Sequence, residues 1–347
     1  MELYVDICKQ LRSFELKAAF TARDEVFALL GGSGCGKSMT LKCIAGIEQP
    51  DQGYIRLGDR VLFDSVHGIN LRPQERRVGY LFQNYALFPN MTIAENIAFA
   101  ARGNPTEKKR CVQDNLRRFA LTELADDYPA RLSGGQQQRA AFARILASGA
   151  ELLMLDEPFS ALDSYLKWQI EQELMKVLQD YGGSALFVSH DRGEVYRLCD
   201  RCAVMHDGQI EAVDTKQELF ANPQTLAGTL LTGCKNVSAA HSVGTHQLQA
   251  VDWGLQLHTA VPVPVSLRYI GFRAHFFERM DGPGENTFLA EVVQVIEDTF
   301  SFLIMVRPQG TDARPLRWEV DKEQWQAMKG QVFWLHMPED KLILMER

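Results

Sequence analysis

From Phe14 to Phe20 apolar and polar residues alternate, the two-residue rhythm of a strand with one face buried. Val26-Phe27-Ala28-Leu29-Leu30 is apolar without a break and predicts a strand covered on both faces. A glycine-rich stretch follows, and the pattern then predicts a helix from about Lys37 to Ala45. Further apolar runs at Val78 to Phe82, Leu152 to Leu155 and Ala185 to Val188 predict buried strands, with helical stretches between them. Strands alternating with helices imply an α/β fold, a largely parallel sheet with helices on both faces. The character changes near Asn222-Pro223. From about Lys235 the helical rhythm fades. Turn-forming clusters such as Asp281-Gly282-Pro283-Gly284 and Arg307-Pro308-Gln309-Gly310 separate β-rich runs at Phe288 to Ile296, Ser301 to Val306 and Gln331 to His336. The expected organisation is an α/β domain over residues 1–230 and a small all-β, barrel-like domain over 235–347.

Composition narrows the class. The formal net charge of −7 gives no bulk basic surface, so nucleic acid is not an expected partner. No run of about 18 uncharged apolar residues is present, and Met1-Glu2-Leu3-Tyr4-Val5-Asp6 carries acids where a signal peptide carries bases. A cytosolic location is expected, with membranes reached only through partners. The seven scattered cysteines suit a reducing compartment. The lone CxxC, Cys199 and Cys202, lacks the second pair that a zinc site needs; Cys202 opens an apolar run, and both read as buried thiols.

The chemistry lies in three segments. Gly31-Gly32-Ser33-Gly34-Cys35-Gly36-Lys37-Ser38 fits GxxxxGK[ST], the Walker A phosphate-binding loop, and it follows a buried strand and opens a helix as that loop requires. Its glycines let backbone N–H groups turn toward phosphate oxygens, and the helix N-terminus adds positive potential. Lys37 is placed for the β- and γ-phosphates, Ser38 for Mg²⁺, and Met39 joins the nucleotide-binding set. Leu152 to Leu155 ends in Asp156 and Glu157, the first suited to a metal's water shell and the second to act as general base on the attacking water. Leu132-Ser133-Gly134-Gly135-Gln136 offers a second anion-binding helix start, with Ser133 as N-cap.

In this order, and with Gln137-Gln138-Arg139 extending the third, the segments resemble the Walker A, Walker B and signature sequences of ABC transporter ATP-binding subunits. The resemblance covers roughly residues 1 to 230 and implies an ABC cassette of the P-loop NTPase fold with a helical subdomain, using ATP and Mg²⁺. Gln83 then matches the Q-loop glutamine, a metal contact and partner sensor; Asp163 falls in a D-loop-like Ser160-Ala161-Leu162-Asp163; and His190 matches the switch histidine near the γ-phosphate. The family's adenine-stacking aromatic has no clear counterpart: the aligned position holds Leu11, either nearby Phe14 or an aliphatic surface takes that place, and Phe14 reads equally as a core residue.

The β-rich tail, with Leu267 to His275, resembles the OB-like accessory domain of import ATPases for sulfate, molybdate, iron and polyamines. Gly58 to Ser65, Gly68 to Leu71, Arg76 to Tyr80 and Thr232 to Asn236 look most similar to molybdate importers. The resemblance implies a homodimer of cassettes at the cytoplasmic face of the cell membrane. It also implies two transmembrane permease subunits and an extracytoplasmic substrate-binding protein. Tyr85, Leu87 and Phe88 are expected to line a groove for a permease helix.

Overall fold

The computed structural model of the chain describes residues 1–82, 85–160 and 164–347, so Gln83 and Asp163 lie outside the described residues. The backbone divides into two compact units, Met1–Lys216 and Gln217–Arg347.

In the first unit the strands are β1 (Glu2–Gln10), β2 (Glu15–Arg23), β3 (Val26–Gly31), β4 (Gln52–Leu57), β5 (Arg60–Asp64), β6 (Ile69–Asn70), β7 (Val78–Leu81), β8 (Leu152–Asp156), β9 (Ser184–Ser189), β10 (Arg201–His206) and β11 (Gln209–Thr215). The helices are α1 (Lys37–Ala45), α2 (Ile93–Ala100), α3 (Pro105–Arg118), α4 (Gly134–Ala147), α5 (Ser164–Tyr181) and α6 (Arg192–Leu198). All eleven strands join one sheet in the order β6-β5-β4-β1-β2-β11-β10-β3-β9-β8-β7. The β10-β3-β9-β8-β7 half is parallel, as the alternating pattern predicts. The β1-β2-β4-β5-β6 flank is antiparallel. That flank follows from connection length: β1 to β2 and β4 to β5 are joined by turns too short for a crossover helix, and Gly58 takes the second of these turns at φ 57°. Phe27, Leu29, Leu41, Ile44, Met154 and Val188 are among the buried residues between the sheet and α1.

Helix α1 is held at both ends. Gly36 precedes it at φ 110° and Gly46 ends it at φ 77°, both in the left-handed region that suits glycine. Its last carbonyls meet Arg76, a fully buried guanidinium. Nη1 donates to Cys43 O and Ile44 O at 2.8 Å, Nε to Leu71 O at 2.8 Å and Nη2 to Asn70 Oδ1 at 2.7 Å. A cation there complements the helix's negative end. A Cβ on Gly46 would lie 2.5 Å from Arg76 Nε, so the position requires glycine twice over.

Helices α2, α3 and α4 pack on one another between β7 and β8. Each starts from a capping box, Thr92 with Glu95, Asn104 with Glu107 and Ser133 with Gln136.

After α7 (Lys216–Ala221), the second unit contains α8 (Leu226–Leu231), β12 (Asn236–Gly244), β13 (Gln247–Ala250), β14 (Leu255–His258), β15 (Tyr269–Phe272), β16 (Glu278–Met280), β17 (Thr287–Glu297), β18 (Ser301–Pro308), β19 (Leu316–Asp321), α9 (Lys322–Met328), β20 (Trp334–His336) and β21 (Ile343–Met345). It is β-rich, with two five-stranded sheets, β14-β13-β12-β15-β21 and β16-β20-β17-β18-β19, around Trp253, Phe272, Trp318 and Leu335. The unit begins upstream of 235 because α8 packs with it: Leu226 N donates to Arg347 O at 2.8 Å, and Leu226 packs against Cys234 and Met345. The β17–β18 hairpin extends past its neighbours. β20 pairs with Thr287 to Leu289 only, so among the described residues no strand covers that flank of β17 from 291 to 297. Val292, Val293, Val295 and Ile296 are exposed there, and Phe300 at the tip is 86% exposed. Among the described residues no helix is long and apolar enough to cross a membrane.

Candidate nucleotide-binding site

Strand β3 delivers residues 31–36 to the start of α1. At Gly31 a Cβ would meet Met205 O of β10 at 2.4 Å, whereas one on Gly32 or Gly34 would meet no atom within 4 Å. The loop is thus pinned to the sheet at one end and bare along the middle, where a phosphate chain can approach its backbone. Ser33 is exposed and Met39 half-buried. Cys35 is buried, and burial raises its thiol. Lys37 is nearly buried, with Nζ donating to Gly31 O at 2.9 Å and Gly32 O at 2.8 Å. Phe14 packs beside the loop, 3.5 Å from an ideal Cβ on Gly36, while Leu11 is half-buried at the edge of the same core.

Strand β8 brings the acids to this loop. Ser38 Oγ donates to Asp156 Oδ1 at 2.7 Å, and Tyr80 Oη donates to Asp156 Oδ2 at 2.8 Å. Glu157 sits at φ 46°, outside the regions favoured by side-chain-bearing residues, and its N–H is held by Val188 O at 3.0 Å. Its Oε1 lies 3.9 Å from Lys37 Nζ and its Oε2 3.3 Å from His190 Nδ1. His190 stands just beyond the end of β9 on a cleft of about 160 Å³ shared with Glu157, Ser160 and Lys167. Beneath it, Lys167 pairs with Asp191 Oδ2 at 2.7 Å and Glu194 Oε1 at 2.5 Å, and Arg197 grips buried Glu171 through two bonds of 2.8 and 2.9 Å. Asp191 also caps α6, and these contacts hold its carboxyl below the ordinary range although burial works the other way.

Lys37 and Ser38 of the glycine loop, Asp156 and Glu157 at the end of β8, and His190 therefore meet in one place. Ser133, Gly134, Gly135 and Gln136 form a separate helix start. Gln136 Oε1 accepts from Ser133 N at 2.8 Å, and among the described residues no hydrogen bond or ion pair joins this group to the other five. One link to the acids runs through α4: fully buried Gln138 donates to Pro158 O at 2.9 Å, just past Glu157. The residues of the expected permease groove are not alike. Tyr85 is only 7% exposed, and Arg144 donates to the carbonyls of Tyr85 and Ala86. Leu87 and Phe88 are half-buried, and Phe99, 65% exposed, stacks edge-on against Phe88 at 4.8 Å.

Sequence reasoning missed Tyr80, Lys167, Arg76 and Phe99. For Tyr80 a signal existed, since two neighbouring parallel strands ending near one site put alternate residues of both on one face.

Ser38 and Asp156 present hard oxygens side by side, the chemistry that Mg²⁺ prefers over softer metals, so the residues present fit that ion. Cys199 and Cys202 are both buried, and burial raises both thiols.

Residues 18–160 match the family model described as ABC transporter. This segment is an ABC transporter ATP-binding domain. The chain is 44% identical over 207 residues to an iron(III) ions import ATP-binding protein, FbpC 2, of Haemophilus influenzae, covering 59% of this chain and 58% of that one. It is 44% identical over 205 residues to a sulfate/thiosulfate import ATP-binding protein, CysA, of Vibrio vulnificus (57% and 58% covered). It is 37% identical over 222 residues to a molybdenum import ATP-binding protein, ModC, of Rhodospirillum rubrum (64% and 60%). The chain thus spans about three fifths of the length of these relatives. Among solved structures, the chain is similar to a dimeric bacterial ABC transporter cassette, MJ0796, with a TM-score of 0.52 and 27% identity over 62% of this chain and 99% of that one. The same cassette bound to ADP and phosphate in a dimeric post-hydrolysis state gives the same values.

Proposed function

We propose that this chain is the ATP-hydrolysing subunit of an ABC importer. The observation that carries the reading is the meeting of Lys37, Ser38, Asp156, Glu157 and His190 at the mouth of one glycine loop. Residues 31–39 cradle the triphosphate, and Lys37 exchanges its loop carbonyls for β- and γ-phosphate oxygens. Ser38 and Asp156, together with Gln83, would hold Mg²⁺, which would supply positive charge to the phosphates. Glu157 takes the proton of the attacking water, and His190, in reach of its carboxylate, orients it and the γ-phosphate. Two copies pack as a homodimer, so that Ser133 to Gln136 and Asp163 of one chain complete the site of the other. The separateness of Ser133 to Gln136 from the five residues within one chain supports this, as does the similarity to a dimeric cassette.

The partners are two membrane-spanning permease subunits and, through them, an extracytoplasmic binding protein. The chain works peripherally on the cytoplasmic face of the membrane. For the cargo we propose an inorganic oxyanion, and specifically molybdate. The greater identity to relatives named for iron(III) and sulfate import, 44% against 37%, favours those ions as the second reading. ATP-driven uptake into vesicles reconstituted with the permease and binding protein tests both levels. Uptake of molybdate in preference to sulfate, iron(III) and polyamines, the last carried by further relatives named for spermidine/putrescine import, is expected; hydrolysis without uptake of any of them removes the importer reading.

A further inference from the structure

Strands β7 and β8 pair in parallel with Tyr80 opposite Met154 and Leu81 opposite Leu155. Side chains alternate along a strand, so Tyr80, Met154 and Asp156 share one face, and Asp156 is the diagonal neighbour two residues beyond Tyr80's partner. That offset is within reach of a tyrosine but not of a short side chain. The phenol accordingly meets Asp156 Oδ2 at 2.8 Å, while Ser38 meets Oδ1 at 2.7 Å. A one-residue slip of β7 would send Tyr80 to the opposite face.

We propose that Tyr80 is a positioning residue for magnesium, clamping Asp156 by Oδ2 so that Oδ1 stays turned toward Ser38. The proposal rests on the ATPase reading above and deepens it. A carboxylate turns easily about its last torsion, and a single donor at one oxygen leaves that freedom. Donors at both oxygens fix the plane. Each oxygen can accept twice, so one acceptor site on each remains for the metal and its water. Tyr80 itself has little room to move, since its ring lies 4.3 Å from that of Phe82.

Partners that orient a metal ligand are typically worth about 10- to 100-fold in metal affinity. The test uses the full chain and reads binding rather than turnover. ATP affinity is measured by calorimetry in EDTA, and Mn²⁺ affinity of the ATP complex by electron paramagnetic resonance, for the natural chain, Tyr80→Phe and Asp156→Asn. Tyr80→Phe keeps the ring contact with Phe82 and removes only the donor. The expected result is metal-free ATP affinity within about twofold of the natural chain and Mn²⁺ affinity reduced about tenfold or more. Natural Mn²⁺ affinity in Tyr80→Phe, or equal losses with and without metal, overturns the proposal. Natural Mn²⁺ affinity in Asp156→Asn removes the metal reading itself, and the proposal with it.

Discussion

At position 157 a carboxylate is carried on backbone that a side-chain-bearing residue adopts at a cost of about 1–3 kcal/mol. The strain aims Glu157 back between Lys37 and His190 instead of onward along β8. Glu157→Gln is nearly isosteric and cannot accept a proton. It should bind ATP as the natural chain does and hydrolyse it about 10²–10⁴ times more slowly in single-turnover assays. Lys37→Ala should act one step earlier: calorimetric titration should find ATP binding largely abolished, because the charge-assisted contact is gone. Both residues were legible in the sequence, since a glycine loop after a buried strand, and two acids ending another, each need their residue types in order. The strain at Glu157 was not, because φ is set by what surrounds the residue, here the carbonyl of Val188 on a strand more than thirty positions away.

Elements transmit the arrangement. Helix α1 presents its N-terminus to the phosphates only if its other end is anchored, and Arg76 anchors it just ahead of β7, the strand that carries Tyr80. Gly46→Ala adds a methyl group where the guanidinium lies and forces a left-handed φ on alanine. Thermal unfolding should register a loss of about 1–3 kcal/mol, and ATP affinity should fall with it. On the other side of the site, the Lys167 contacts brace the loop of His190 against α5. Lys167→Met leaves Asp191 and buried Glu194 without their cation, and kcat should drop while ATP affinity is kept. Unchanged kcat would show that α6 holds the histidine unaided. The buried strands and α1 were legible because their apolar runs lack any competing reading. The antiparallel flank and the seven-residue α9 were not, since short connections and a single helical turn or two leave little periodicity to detect.

At the scale of the molecule, every described candidate for phosphate or metal contact falls in Met1–Lys216, and the family match lies inside that unit. A chain ending at Lys216 should therefore bind ATP with natural affinity in the same titration. A marked loss would assign the second unit a part in the site. The hairpin of that second unit has a different consequence, one of handling and storage. Residues 291–297 leave a row of backbone donors and acceptors open beside Val293, Val295 and Ile296. Such a flank is a template on which loosened chains stack as cross-β aggregates. On mild heating, aggregation should start below the unfolding midpoint, and Val293→Lys, at an exposed bulge position, should delay its onset in light scattering while leaving the midpoint unmoved.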